Sequence, residues 1–217
     1  MKSKNILLTC ALLLCATLAG YFLGLAINKT KAQAQERQQE TPNGDKILEK
    51  APSVNDQVKF TEIKNKDASL SFGTSFAAEG DWLKDLTFGV KNIADKPIIY
   101  LSVRVNFPDT KSTGNMMSYP IVFGQRPNSK IPTTNAPLQL MPGKMLEVAL
   151  RDEYAKIAKF VETRQPMNSL KTIQLEIGFI IFEDGLAWAA GDFLRQDPNN
   201  PNRYHNIGPA LPQKPEN

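Results

Sequence analysis

Ile98-Ile-Tyr-Leu-Ser-Val-Arg-Val-Asn-Phe107 is the stretch whose reading decides the fold. Ile99, Leu101, Val103, Val105 and Phe107 fall at every second position, with Tyr100, Ser102, Arg104 and Asn106 between them. Side chains alternate faces along a strand, so the pattern predicts a strand with one face in a core and the other turned outward. Ile173, Leu175, Ile177, Phe179 and Ile181 form a second long face of the same kind.

Shorter alternating pieces surround these two. Val58 to Ile63 starts as a strand, Leu70 and Phe72 belong to another, and Trp82 to Val90 points Leu86, Phe88 and Val90 inward. Asn92-Ile-Ala-Asp-Lys-Pro97 is a turn, predicting that the strands on either side form an antiparallel hairpin or lie close together. Tyr119 to Phe123 reads as a strand, and Pro120 places it at an edge because proline donates nothing to a ladder. Residues 124–144 make a long connection with four prolines, before Leu146, Val148 and Leu150 resume an inward face. Asp152 suits the N-cap of a short helix of about three turns, with Tyr154, Ile157, Ala158 and Val161 along one side. Asp184-Gly185 marks a hairpin turn. A two-residue loop there sets Trp188 beside Ile181, facing the core.

The ends differ from this middle. Lys2 and Lys4 precede an uncharged run whose apolar heart lies between Ile6 and Ile27, and Ala32-Gln33-Ala34 follows. The run is long enough for the roughly 20 residues of a membrane span. The small-x-small pattern suits cleavage near Ala34, so residues 1–34 read either as a signal peptide or as an N-terminal membrane anchor helix. Both readings put the rest of the chain outside the cytoplasm, periplasmic or otherwise extracytoplasmic. Gly20-x-x-x-Gly24 could pack two anchors together, but glycines that merely loosen a signal sequence are the preferred explanation. Residues 35–57 read as a flexible polar linker, 58–195 as the β domain and 196–217 as an irregular proline- and asparagine-rich tail.

Charge and rare residues exclude several classes. The formal net charge is +4, and Lys2, Lys4, Lys29 and Lys31, the only charged residues before Gln35, account for all of it. The remainder is neutral and carries no basic footprint for nucleic acid. Both cysteines, Cys10 and Cys15, lie in the apolar run, which leaves the domain without a disulfide, a thiolate metal site or a cysteine nucleophile. No cofactor motif is present.

Taken together, short strands, turn signals and one short helix predict a mainly β fold, an antiparallel β-sandwich. The segment Val90-Lys91-Asn92 through Asp95-Lys96-Pro97-Ile98, with Leu140-x-Pro142-Gly143 later, resembles immunoglobulin-like domains of exported bacterial proteins. The resemblance covers Leu86 to Phe193 and implies a fold, an immunoglobulin-like β-sandwich. It brings no functional residue with it.

Candidate chemistry is sparse. His205 is the sole histidine and has no G-x-S-x-G or other nucleophile motif to serve. Glu183 and Asp184 are adjacent acids, but at a hairpin tip Asp-Gly first makes the turn. Asp197-Pro-Asn-Asn-Pro-Asn202 offers oxygen ligands for calcium without EF-hand spacing, so it reads first as a turn. Trp82, Tyr100, Trp188 and Tyr204 could stack on sugars if they shared a face, though core packing is the default for such aromatics. No catalytic or metal-binding residue is assigned.

The outward faces give the most specific expectation. Strict alternation turns Ile98 and Tyr100 outward on the first long strand and Ile180 and Phe182 on the second, where antiparallel neighbours would gather them into one apolar patch. That patch either docks a partner or a second copy, or is covered by the tail through Phe193, Tyr204 or Ile207; cover by the tail is preferred, since monomers rarely leave such patches open. The functional expectation is an exported, non-catalytic interaction domain at the cell envelope, with an envelope protein or a second copy as partner. A carbohydrate-binding sandwich using Trp82 and the 124–144 connection is the alternative, and a hydrolase built on acids and His205 the second.

Overall fold

A computed structural model of the chain describes residues 44–127 and 136–210. The signal or anchor segment, the first part of the linker, the middle of the long connection and the last seven residues of the tail lie outside the described residues.

Among the described residues, twelve strands form two sheets. In order they are β1 (Gly44–Lys50), β2 (Val58–Asn65), β3 (Ala68–Ser69), β4 (Ser75–Ala78), β5 (Leu86–Asn92), β6 (Ile98–Phe107), β7 (Met117–Gly124), β8 (Met145–Ala149), β9 (Thr172–Phe182), β10 (Leu186–Ala189), β11 (Asp192–Asp197) and β12 (Asn200–Pro209). β3-β2-β5-β8 is a four-stranded antiparallel sheet. The other eight strands form a mixed sheet centred on β9. β6 runs antiparallel along one side of β9, with β7 beyond it. The other side of β9 is shared: β1 pairs with its first half in parallel, and β10 with its second half antiparallel. Leu101, Val103, Val105, Phe107, Ile173, Leu175 and Ile177 from this sheet join Phe60, Leu86, Phe88, Val90 and Val148 from the other in one buried core. The fold is mainly β, as the alternation predicts.

Several elements depart from expectation. β5 and β6 form no hairpin; the turn between them carries the chain from one sheet to the other. Buried Asn92 fixes that crossing, its amide donating to the carbonyls of Lys96 and Leu140 while its oxygen accepts from Ala94 N. Trp82 to Asp85 winds as a 3-10 turn, so β5 starts only at Leu86. The helix α1 (Tyr154–Val161) buries Ile157 and Val161 and packs Tyr154 and Ala158 on the core, as its spacing requires. It has about two turns rather than three, and Glu153 stands at its N-cap without a capping bond because a 3-10 turn takes up Leu150–Asp152. Part of the expected linker is β1, where Leu48 is fully buried. The tail is ordered through Pro209, since β11 and β12 pair as an antiparallel ribbon.

The largest departure is in β9. Val103 pairs with Ile177 but Ser102 pairs with Phe179, so Gly178 is an extra residue, a β-bulge. Beyond it the faces exchange. Ile180 and Phe182 turn into the core, and Phe179 and Ile181 turn to the opposite face, where Ile181 is still only 1 % exposed. A second bulge at Ile99 does the same to the start of β6, bringing Ile98 into the core opposite Phe182. Glycine suits the first site because the Arg104 side chain crosses it: a Cβ there would lie 2.9 Å from Arg104 Nε. The β9–β10 loop has three residues, with Gly185 at a φ of 79° and its N–H on the Phe182 carbonyl. Trp188 is therefore in the core as expected, but beside Ile180 rather than Ile181.

Candidate functional site

The apolar patch expected on the outside does not form. Ile98 and Ile180 are 0 % exposed and Phe182 is 1 % exposed, all three in the core for the reason just given. Tyr100 alone of the four remains on the outer face, half-buried.

A different group gathers around Tyr100. The bulge at Gly178 puts Phe179 beside it, with ring centres 6.3 Å apart and edge to face. β12 supplies Tyr204, whose ring lies 5.2 Å from Phe179. The β11–β12 ribbon carries two register irregularities, after Phe193 and after Gln196, which add the twist that bends a ribbon. The tail thus covers part of the outer face through Tyr204, while Phe193 packs against Phe182 at 6.2 Å and Ile207 stays 51 % exposed. From the opposite side comes Arg126. Gly124 ends β7 at a φ of 76°, where a Cβ would lie 2.1 Å from the Ile99 carbonyl oxygen, so only glycine allows the chain to turn there. Two residues on, the Arg126 guanidinium sits over Phe179 at 4.9 Å, Tyr100 at 5.4 Å and Tyr204 at 5.9 Å.

The electrostatics of this group are unusual. Among the described residues Arg126 has no carboxylate partner, and its buried Nε has no hydrogen-bond partner at all. The rings attract the cation through their electron-rich faces but accept none of its in-plane N–H groups. Burial raises the pKa of Tyr204, against the opposing pull of the Arg126 charge, so its hydroxyl stays a neutral donor.

The other candidates are engaged elsewhere. Trp82 is 2 % exposed and set edge-on to Phe76 at 5.3 Å, and Trp188 is fully buried, so neither offers a ring to a sugar. Asp184 accepts from Leu186 N at 3.1 Å and pairs with Lys96 at 2.6 Å, tying the β9–β10 loop to the sheet crossing. Neighbouring Glu183 is exposed at the same loop. Asp197 accepts from Asn199 N at 2.8 Å and faces His205 at 3.2 Å, and those bonds, the backbone one first, lower its pKa. That places His205 in a local ribbon contact. A polar hollow lined by Lys66, Asp67, Glu79, Asp81 and Asp85 is held by ion pairs: Asp85 with Arg151 at 3.0 Å, and Asp81 with Lys84. Among the described residues no group of three or more acids, histidines or cysteines could hold a metal ion.

One apolar groove of about 390 Å³ lies between β7 and β8, closed on a third side by Ala136, Pro137 and Leu138 of the long connection. β8 is an edge strand among the described residues, and exposed Glu147 at its centre is the kind of charge that discourages pairing with another sheet.

Sequence reasoning missed Arg126 and misplaced Phe179. For Phe179 the signal was Gly178 inside a strand, a frequent mark of a bulge. For Arg126 nothing local distinguishes it from other residues of the connection. Comparison with protein-family models, with curated proteins and with solved structures finds no match to this chain.

Proposed function

We propose that the chain is an exported, non-catalytic binding domain of immunoglobulin-like type. The segment between Ile6 and Ile27 places it outside the cytoplasm, anchored there or released by cleavage near Ala34, and it meets its ligand at the cell envelope. The binding surface is the outer face of the eight-stranded sheet around Phe179. The observation that carries this reading is the Arg126 guanidinium, bracketed by three aromatic rings and bonded to no acceptor among the described residues. Purely structural arginines usually find a carboxylate or carbonyl, because an unmet charged donor is costly.

The hydrolase reading has less support. The carboxyl groups with displaced pKa values, Asp81, Asp184 and Asp197, are all displaced downward, whereas a catalytic acid at neutral pH needs the opposite.

The test has two parts. Fractionation of cells, with sequencing of the mature N-terminus, reads export. A photoreactive p-benzoylphenylalanine in place of Tyr204, compared with the same group in place of exposed Lys59 on the other sheet, reads contact in the native envelope. Export together with an adduct at position 204 and none at 59 supports the proposal. Retention in the cytoplasm, or equal labelling at both positions, overturns it.

A further inference from the structure

We infer that the Arg126–Tyr100–Phe179–Tyr204 group is a subsite for an acidic sugar, taking the ring-borne carboxylate of a uronic acid on the guanidinium and the sugar ring against the tyrosines. The inference rests on the binding-domain reading above and gives it a ligand class.

Three observations carry it. The first is the unmet donor set. Nε of Arg126 is buried without a hydrogen-bond partner, and the two terminal nitrogens bond nothing among the described residues. A guanidinium presents those two N–H groups as a fork that fits a carboxylate with two parallel bonds. The fork cannot wander, because rings lie within 4.9–5.9 Å of the guanidinium carbon. A pre-positioned donor pair loses less freedom on binding than a free surface arginine.

The second is the pair of phenols. Tyr100 and Tyr204 stand on either side of Phe179, at 6.3 and 5.2 Å between ring centres. Neither hydroxyl bonds a described residue, and both rings stand beside the cation. A tyrosine at the rim of a site offers an apolar ring and a polar tip together. A pyranose presents the matching pair, a face of C–H groups and a rim of hydroxyls.

The third is where the group sits. Its centre lies on the face of the sheet at β6 and β9, with Tyr204 brought over from the edge strand β12. Extended peptides are recognised chiefly by adding to an edge, where the backbone supplies the bonds. A face with rings, hydroxyls and one forked cation lacks that ladder and favours a ring-shaped ligand. The formal charge outside the N-terminal segment sums to zero, so there is no broad positive field to gather polyanions indiscriminately.

The experiment is a calorimetric titration of the full chain, in detergent, with trigalacturonate, with its neutral galactose trimer, and with triglutamate peptide as a carboxylate without a sugar ring. Trigalacturonate should bind about tenfold tighter than the neutral trimer, the factor supplied by about 1.4 kcal/mol of charge-assisted bonding. Arg126→Gln should abolish that preference, and Arg126→Lys should keep only part of it, because an ammonium has charge without the fork. Arg126 also holds the ribbon in place, so Tyr100→Phe/Tyr204→Phe serves as a second variant: it keeps every ring and should weaken both sugars alike. Equal binding of acidic and neutral trimers, or a preference that survives Arg126→Gln, overturns the inference. So does triglutamate binding as tightly as trigalacturonate. An envelope adduct at position 204 alongside any of those results leaves the binding domain standing and removes only the ligand class. Failure of export, or equal labelling at 204 and 59, removes both.

Discussion

The side-chain amide of Asn92 donates to the carbonyl of Leu140 at 2.8 Å, across 48 residues of chain, from a position with no exposed surface. The same nitrogen reaches the Lys96 carbonyl, and the Asn92 oxygen takes the Ala94 N–H at 3.0 Å. One side chain thus fixes the crossing between sheets and docks the end of the long connection against it. Asn92→Ala removes all three bonds; the Leu140 carbonyl keeps Ile98 N and the Ala94 N–H keeps the Gln57 carbonyl, but the Lys96 carbonyl loses its donor, and urea unfolding should show a loss of about 1–3 kcal/mol. Asn92→Asp should cost as much, since an ionised carboxylate cannot donate to either carbonyl.

Gly178 sets which half of β9 faces the core. Deleting it leaves a regular ladder in which Phe179 follows Ile177, so Ile180 and Phe182 keep facing the core. The deletion should keep a cooperative unfolding transition and lose only roughly 1 kcal/mol, the cost of the changed local twist. Gly178→Ala should also be mild, roughly 1 kcal/mol, because the atom in the way belongs to the flexible Arg104 side chain. Its signature should be a weakened Arg104–Glu176 pair, which stands at 3.0 Å in the wild type, read as a lower salt dependence of stability.

Lys46 is 2 % exposed, with its ammonium on the Leu170 carbonyl at 2.9 Å. Burial lowers its pKa from 10.5, the charge of Lys171 adds to that, and Asp109 opposes it. The unfolded chain therefore holds this proton more tightly. Between the lowered value and 10.5 the unfolded state binds more protons, so stability rises with pH through that window. Lys46→Met should be more stable than wild type at neutral pH by about 1 kcal/mol, after loss of the Leu170 bond. Chemical unfolding at several pH values should show that advantage shrinking as pH approaches 10.5.

Asp184 works in the opposite sense. Burial pushes its carboxyl up, but the bonds from Lys96 and Leu186 N outweigh this and hold its pKa below 3.8. Its contribution is complete above 3.8 and fades as pH falls through the lowered value. The Lys96 pair is half-exposed, so Asp184→Asn should lose only about 0.5 kcal/mol at neutral pH. Wild type and variant should converge in acid, as thermal melts at neutral and acid pH will read.

The sequence made some of this legible and hid the rest for definable reasons. Leu86, Phe88 and Val90, and Leu101 to Phe107, alternate against polar neighbours, so their inward faces could be read directly. Phe179-Ile180-Ile181-Phe182 is apolar at every position, and so is Ile98-Ile99; such runs look the same in either register and cannot reveal a bulge. β1 escaped notice because Asp45, Lys46, Glu49 and Lys50 surround its one buried leucine, and a lysine fills an inward position. Asp184-Gly185 marks a turn correctly, but the same pair serves a two- or three-residue loop. The outer-face group was out of reach, since it joins Arg126, Tyr100, Phe179 and Tyr204 from four separate parts of the chain.

The sharing of β9 between β1 and β10 also dictates a timetable. Lys46 meets Leu170 across 124 residues, and the strand that receives β1 is among the last to be made. Until Thr172 onward leaves the ribosome, β1 has only β4 to pair with, and β6 has β7 on one side and no partner on the other. Pairings this distant form slowly because the intervening chain must first be brought together. A polypeptide built in this order stays open, and can still be threaded, until nearly all of it exists.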